Sequence, residues 1–210
     1  MSRSSYSRVF WGPHSPLAAL SGMGLLVMAG SRTAYALVTA AALLWVYGFT
    51  VPVYRAASRF FPLRGRPLIP VFLAAFFSGL FLLLLWFFNP LLALEMGFLV
   101  SLTPVCCIGS NLIDRLEDSG PADALVRALS EAAVLGLLIL ALALVREPLG
   151  CASLSLPGGT RGIVAFPGGA EASFFPVRIA ASSAGGLLIL GYGLALYRHF
   201  RGRSGGGEAE

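Results

Sequence analysis

Long apolar stretches alternate with short polar segments along the whole chain. A helix that spans a bilayer needs about 20 mostly apolar residues. The pattern therefore predicts an all-α fold, a polytopic membrane protein with six transmembrane helices. We expect a single integral membrane domain at residues 1–203 and a flexible polar tail at 204–210. The predicted spans are 16–30, 34–54, 68–88, 91–113, 122–145 and 177–197.

The first and fourth predicted spans are both interrupted. The first contains the sequence SGMG at 21–24, and the fourth contains Pro104 and Gly109. Two interrupted spans at matching positions of two halves are typical of an inverted repeat whose functional centre lies near the membrane midplane. We therefore predict an inverted repeat of three plus three helices, with broken first and fourth spans.

Composition agrees with a membrane protein and excludes several other classes. Hydrophobic residues make up 57% of the chain and charged residues only 12%, against about 25% charged in soluble domains. Disorder, a nucleic-acid-binding domain and an ordinary water-soluble globule are therefore excluded. The net charge of +5 comes from arginines, because the chain contains no lysine, and these arginines fall mainly between the apolar stretches.

The distribution of arginine predicts the orientation of the chain. Six spans place both termini on the same side as the second and fourth loops. That side holds ten arginines and the opposite side four, and the positive-inside rule therefore predicts that both termini are cytoplasmic. The segment 147–175 would then be an outward-facing loop, with PGG turn signals at 157–159 and 167–169. The ten are Arg3, Arg8, Arg55, Arg59, Arg64, Arg66, Arg115, Arg198, Arg201 and Arg203, and the four are Arg32, Arg146, Arg161 and Arg178.

Cys106 and Cys107 are the most distinctive candidates for chemistry. They lie in the sequence TPVCCIGSN, just after Pro104, which removes a backbone donor and loosens the helix there. Thiolates bind soft metals and iron–sulfur clusters. The alternative is that both cysteines are small hydrophobic side chains of a membrane helix. Two thiolates do not complete a four-thiolate site, so a metal centre here requires ligands from another chain.

Charged side chains near the predicted spans are the other candidates. Arg127 and Glu131 are four residues apart, which places them on one helix face. We expect Arg127 to extend to the membrane surface with Glu131 as its partner, and a functional pair is the alternative. Glu95, Arg146 and Glu147 lie at span ends, where we expect ordinary interfacial charges.

The segment from Met96 to Gly150 resembles the small six-span subunits of the Rnf and Na⁺-translocating NADH:quinone oxidoreductase (Nqr) complexes. That family has a fourth span similar to LGIFIPLIVTNC, then a short polar loop with Gly-Pro, then a span ending in LRE. Met96-Gly97 matches the LG, Cys107 the cysteine, Gly120-Pro121 the Gly-Pro, and Val145-Arg146-Glu147 the LRE. The sixth span and the basic tail resemble the Rnf E / Nqr D type more than its sister, Rnf A / Nqr E.

The resemblance implies an inner-membrane subunit of an ion-translocating electron-transport complex that is not catalytic alone. In that family, two sister subunits each contribute one cysteine from the first span and one from the fourth to a 2Fe–2S cluster. Cys107 would then be a cluster ligand, with Cys106 beside it. The first-span motif is altered, because Gly24 and Leu25 stand where the family has Cys and Pro. Either Cys106 substitutes for the lost ligand, or the chain keeps the fold without the cluster.

Two other functions are compatible with the same pattern. A membrane transporter, or a substrate-binding membrane component for a small solute, would use the broken spans to line a cavity. A structural subunit would only hold other subunits together. Partners distinguish the three: sister subunits and iron favour the redox complex, an ATPase favours transport, and a complex without iron favours the structural role.

Overall fold

The computed structural model describes residues 27–58, 68–104, 121–151, 153–158, 162–167, 179 and 182–204. Five helices and one β-hairpin occupy these residues. The helices are α1 (Thr33–Ser58), α2 (Leu68–Phe88), α3 (Pro90–Ser101), α4 (Pro121–Cys151) and α5 (Ser183–Ser204). The strands are β1 (Ser153–Pro157) and β2 (Ile163–Pro167).

Three of these helices are long and apolar enough to cross a membrane, namely α1, α2 and α4. They correspond to the second, third and fifth predicted spans, and α2 has the predicted bounds. α4 is longer than predicted, because it continues past residue 145 through Pro148 to Cys151. The chain is therefore a mostly helical membrane protein, as its apolar pattern predicts.

The other three predicted spans are seen only in part. Residues 16–26 of the first span lie outside the described residues, and 27–29 form a helical turn. In the fourth, α3 ends at Ser101 and a short helical segment follows at 103–104, so the described part of this span is interrupted close to Pro104. In the sixth, α5 begins at Ser183, and its apolar part extends only to Gly193.

α2 and α3 are joined by a sharp turn at Asn89. Its backbone is extended, with φ −152° and ψ 92°, and its side-chain oxygen accepts a hydrogen bond from the Leu92 backbone N–H at 3.2 Å. Pro90 occupies the first helical position, where its missing N–H removes no helical hydrogen bond. Asn89 therefore ends one helix and caps the next, and Ser78 of α2 donates a further hydrogen bond to the carbonyl of Val100 in α3 at 2.8 Å.

α1 is the central helix, since it packs against α4, α2, α3 and β1. Its contact with α4 is close: a Cβ atom at Gly136 would lie 2.9 Å from the Cβ of Ala40. Alanines line the same interface and are fully buried, including Ala36 and Ala132. In a membrane, where lipid is as apolar as the side chains, small residues favour helix association because they allow more van der Waals contact.

Aromatic rings join α1 to α2. Phe49 stacks on Phe77 with ring centroids 5.6 Å apart, and Trp45 lies 6.2 Å from Phe81. The rest of α2 is largely exposed, and Phe72 and Phe87 are 73% and 84% accessible. Such an apolar outer surface is what lipid contact requires of a membrane helix.

β1 and β2 form an antiparallel hairpin, which the sequence analysis did not predict in the segment 147–175. Ser153 pairs with Pro167 and Pro157 with Ile163. Gly162 has a φ of +79°, a left-handed conformation that glycine adopts without strain. Pro157 and Gly158 of the first PGG signal lie at the end of β1, whereas residue 159 and residues 168–169 of the second signal lie outside the described residues. The all-α prediction is therefore corrected by one small two-stranded sheet.

Candidate functional site

The two predicted ligands, Cys106 and Cys107, lie outside the described residues, which stop at Pro104 and resume at Pro121. Cys151 is described, and it is a free, exposed thiol at the end of α4. Within the described ranges, no group of three or more His, Cys, Asp or Glu side chains is placed to hold a metal ion. The predicted cysteine site therefore stays a prediction.

A buried polar cluster lies where the hairpin meets the helices, and we call this end of the bundle the hairpin end. Its members are Thr33 at the start of α1, Arg146 and Glu147 in the last turns of α4, and Ser155 in β1. Each is 5% exposed or less. The prediction that Arg146 and Glu147 are ordinary interfacial charges was wrong, because the hairpin and two helix ends cover them.

Glu147 caps α1 from a different helix. Its Oε2 accepts hydrogen bonds from the backbone N–H and from the hydroxyl of Thr33, both at 2.7 Å. The first N–H groups of a helix have no acceptor within the helix, and the helix dipole makes that end positive. A carboxylate at this position therefore satisfies an otherwise unpaired donor and is itself stabilised by the dipole.

Thr33 also ties the hairpin to the helices. Its hydroxyl donates to the carbonyl of Ser155 as well, and the Ser155 hydroxyl accepts a hydrogen bond from the Ala34 N–H at 3.4 Å. The Thr33 hydroxyl has one proton for two acceptors, Glu147 and Ser155, so it serves one of them at a time. β1 is thereby fixed over the start of α1.

Arg146 makes the corresponding connection to the first span and to α5. Its Nη1 donates to the carbonyl of Val27 at 2.6 Å. A Cβ atom at Gly186 of α5 would lie 3.1 Å from the same nitrogen, so glycine leaves the room that the guanidinium occupies. Two adjacent residues of α4 therefore bind the turn at 27–29 and the start of α1, β1 is attached through Thr33, and α5 packs beside Arg146 at Gly186.

Arg127 and Glu131 differ in burial, and the predicted partnership between their side chains stays a prediction. Arg127 is exposed, whereas Glu131 is only 3% exposed and lies among the residues that α4 buries. A carboxylate directly before the apolar run 132–145 was the sequence signal that could have marked Glu131 on its own.

Glu95 lies at the hairpin end and is exposed, as the sequence analysis expected. Its Oε2 accepts a hydrogen bond from the hydroxyl of Tyr35 at 3.1 Å. The guanidinium of Arg32 lies 5.8 Å from the centre of the Tyr35 ring, within the range of a cation–π contact. This group links the start of α1 to α3 at the membrane surface.

The buried cluster binds segments of the protein together, because its hydrogen bonds join residues that are far apart in sequence. Glu147 and Arg146, which carry it, are the Arg-Glu of the motif that resembles the Rnf and Nqr subunits. No protein-family model matches the chain, and no curated protein matches it either. The assignment of a function therefore depends on these motifs and on the geometry around them.

Proposed function

We propose that the chain is a membrane subunit of an Rnf/Nqr-type ion-translocating oxidoreductase complex, of the Rnf E / Nqr D type. The observation that carries this proposal is the buried pair Arg146 and Glu147. The resemblance singles out these two residues by motif, and their hydrogen bonds join the end of α4 to the turn at 27–29 and to the start of α1. Residues that hold helix ends together are expected to recur in proteins that share a fold. The structural role of Arg146 and Glu147 therefore supports the resemblance.

The proposal includes the finer features predicted from sequence. The chain has six spans in an inverted repeat of three plus three, lies in a bacterial inner membrane and keeps both termini in the cytoplasm. Its partners are a sister six-span subunit and the other subunits of the complex. It helps electrons pass across the membrane and is not catalytic alone, since flavin-bearing subunits carry the chemistry.

The donor set of this chain does not fit the family's shared 2Fe–2S cluster. That cluster needs one cysteine from each of two spans, whereas Cys106 and Cys107 both belong to the fourth span and Gly24 stands in the first. Adjacent residues on a helix point about 100° apart, so a regular helix does not aim both thiols at one iron. We therefore assign no electron-transfer step to a cluster in this chain.

Co-purification tests the proposal. The full chain, tagged and extracted from its native membrane in mild detergent, is expected to bring down a sister six-span subunit and flavin-bearing subunits, identified by mass spectrometry. The iron content of Cys107→Ala is then compared with that of Cys151→Ala, a matched control at an exposed thiol. Recovery of the chain alone, or with an ATPase, would contradict the proposal.

A membrane transporter, or a substrate-binding membrane component for a small solute, is the second candidate. The observation that favours it is the early end of α3, which has only 12 residues and stops at Ser101. A helix of that length extends about 18 Å, which is short of the hydrocarbon thickness of about 30 Å. Interrupted helices of this kind line substrate cavities in transporters. Co-purification with an ATPase would favour this function.

A further inference from the structure

Glu131 is a carboxyl group inside the apolar part of α4. By helical rise it lies about 15 Å from the start of the helix at Pro121 and about 24 Å from Glu147 at the hairpin end. The residues that follow it, 132–145, are all apolar, and Glu131 itself is 3% exposed. Ionisable groups at such depth are costly and commonly mark proton or ion pathways.

The packing of α1 against α4 shows which part of α1 lies beside Glu131. The helices run in opposite directions, because Gly136 lies against Ala40 and Gly48 lies against Leu129. Glu131 is therefore level with the stretch of α1 just before Gly48. A helical side chain leans toward the N-terminus of its own helix. The Glu131 side chain is therefore directed toward the level of Gly48, on the side of Arg55.

A row of hydroxyl-bearing side chains follows α1 from that level toward the end that carries Arg55, which we call the Arg55 end. Tyr47, Thr50 and Tyr54 are spaced three and four residues apart, and each is 2% exposed or less. The Thr50 hydroxyl has no hydrogen-bond partner among the described residues. Arg55, which follows, is half-buried. Buried polar groups therefore continue from the depth of Glu131 to the Arg55 end.

The opposite direction is closed by apolar packing. Between Glu131 and the hairpin end, α4 buries Leu135, Ile139 and Ala143, and Gly136 brings α1 and α4 into close contact at Ala40. Thr39 adds one hydroxyl to this region of α1. The two sides of Glu131 therefore differ, with a hydroxyl row on one side and tight apolar packing on the other.

We propose that Glu131 reversibly binds a proton inside the membrane and exchanges it with water at the Arg55 end only. On release, the proton leaves a carboxyl oxygen of Glu131 and is taken up by water that enters beside the hydroxyl row, and no electron moves. The proposal is independent of the redox complex, because it uses only α1 and α4.

A proton suits this position better than a metal cation. Hard metal cations take about six or more oxygen ligands, and in membrane proteins unwound backbone carbonyls commonly supply them. Here α1 and α4 are continuous helices at this depth, so their carbonyls are engaged in helical hydrogen bonds. Among the described residues of α1 and α4 at this level, the oxygens that remain are those of Glu131, Tyr47 and Thr50, which are too few.

Several other charged and titratable groups lie on or near α1 and α4, and Arg127 is the nearest of them to Glu131 along α4. Arg127 lies one turn toward the Arg55 end and is exposed, and Tyr192 and His199 of α5 are exposed as well. α2 carries no charged residue, and Glu95 of α3 lies at the hairpin end. A spectroscopic signal specific for a protonated carboxyl group therefore separates Glu131 from the arginines, tyrosines and histidine.

Infrared spectroscopy of the full chain tests the proposal. The C=O stretch of a protonated carboxyl group is measured against pH in wild type, in Glu131→Gln and in Glu95→Gln, an exposed control. We expect the band to disappear reversibly as the pH rises in wild type and Glu95→Gln, and to be missing in Glu131→Gln. If Glu131→Gln does not fold, Glu131→Asp is used and is expected to keep a band with an altered pH dependence.

Three results would overturn the proposal. The first is a carboxyl C=O band that Glu131→Gln leaves unaltered, or that Glu131→Asp leaves unaltered where that variant is used. The second is a Glu131 band that does not change with pH. The third is a band removed by added Na⁺ at constant pH, which would assign the site to a metal cation.

In sealed vesicles, we expect the band to follow the pH at the Arg55 end, and a response to the pH at the hairpin end would refute the proposed route. Thr50→Val is expected to slow the exchange relative to Thr50→Ser.

Discussion

Replacing Glu147 with Gln tests the cap that this residue provides for α1. The carboxylate accepts two hydrogen bonds from Thr33, each at 2.7 Å. A hydrogen bond to a charged group contributes about 1.5–3 kcal/mol and a neutral one about 0.5–1.5 kcal/mol. Because Gln keeps the shape and loses the charge, both bonds weaken by about 1 kcal/mol each. We expect the free energy of unfolding to fall by about 2 kcal/mol.

The measurement is unfolding of the purified full chain in detergent. A loss of about 2 kcal/mol corresponds to a decrease in Tm of roughly 4–8 °C for a chain of this size, followed by circular dichroism. Glu95→Gln is the matched control, since Glu95 is exposed, and we expect it to change stability by less than about 0.5 kcal/mol. The reasoning is refuted if the two variants unfold alike.

A double-mutant cycle shows whether the effect acts through Thr33. Thr33→Val removes the hydroxyl that Glu147 and Ser155 share, and Thr33→Ser keeps it. Side chains in direct contact couple by about 0.5–3 kcal/mol in such cycles. We expect the double variant Thr33→Val/Glu147→Gln to lose less free energy of unfolding than the two single variants lose in sum. If the two losses are strictly additive, the hydrogen bonds between Thr33 and Glu147 are not the cause of the effect.

Two further predictions concern the helix contacts. Gly136→Ala is expected to lower the Tm, because its Cβ would lie 2.9 Å from the Cβ of Ala40. Gly48→Ala is the control and is expected to leave the Tm unchanged, because its Cβ would lie 3.5 Å from its nearest neighbour. Equal Tm values for the two variants would contradict the close contact. Arg146→Met removes the 2.6 Å hydrogen bond to the carbonyl of Val27, and we expect a loss of about 1.5–3 kcal/mol together with faster protease cleavage near residue 27. Unchanged cleavage would show that Arg146 does not hold that turn.

The adjacent positions of Arg146 and Glu147 explain how a short motif organises several segments. Neighbouring residues on a helix point about 100° apart, so one side chain reaches Val27 while the other reaches Thr33. In the apolar interior each unsatisfied polar group would cost several kcal/mol. The helix ends near the hairpin are therefore fixed relative to one another by hydrogen bonds that are expensive to break.

The membrane-spanning helices could be predicted from sequence because their cause is local. A run such as 68–88 must bury its backbone polar groups in its own helix once it lies in lipid, and α2 begins and ends where that run does. The end of α3 at Ser101 lies close to Pro104, where the sequence predicts an interruption because proline lacks the N–H of a helical hydrogen bond.

The candidate sites were harder to predict because burial depends on distant parts of the chain. Arg146 and Glu147 looked like interfacial charges, since their position at a span end is all that the local sequence shows. Their burial comes from Ser155 of the hairpin, Thr33 of α1 and Gly186 of α5. Glu131 is buried and Arg127 is exposed although both lie on one side of α4, and the local sequence does not show which turn of a helix its neighbours cover.

The sequence by itself determined the membrane environment, the position of α2, and the approximate positions of α1 and α4, because hydrophobicity and helical hydrogen bonding act within each segment. Only the tertiary structure decided that α1 is central, that a hairpin lies over its start, and that Glu131 and Glu147 are buried. These features arise from contacts between residues far apart in sequence, such as Thr33 with Glu147. A local pattern of apolar and polar residues contains no information about which helix faces which.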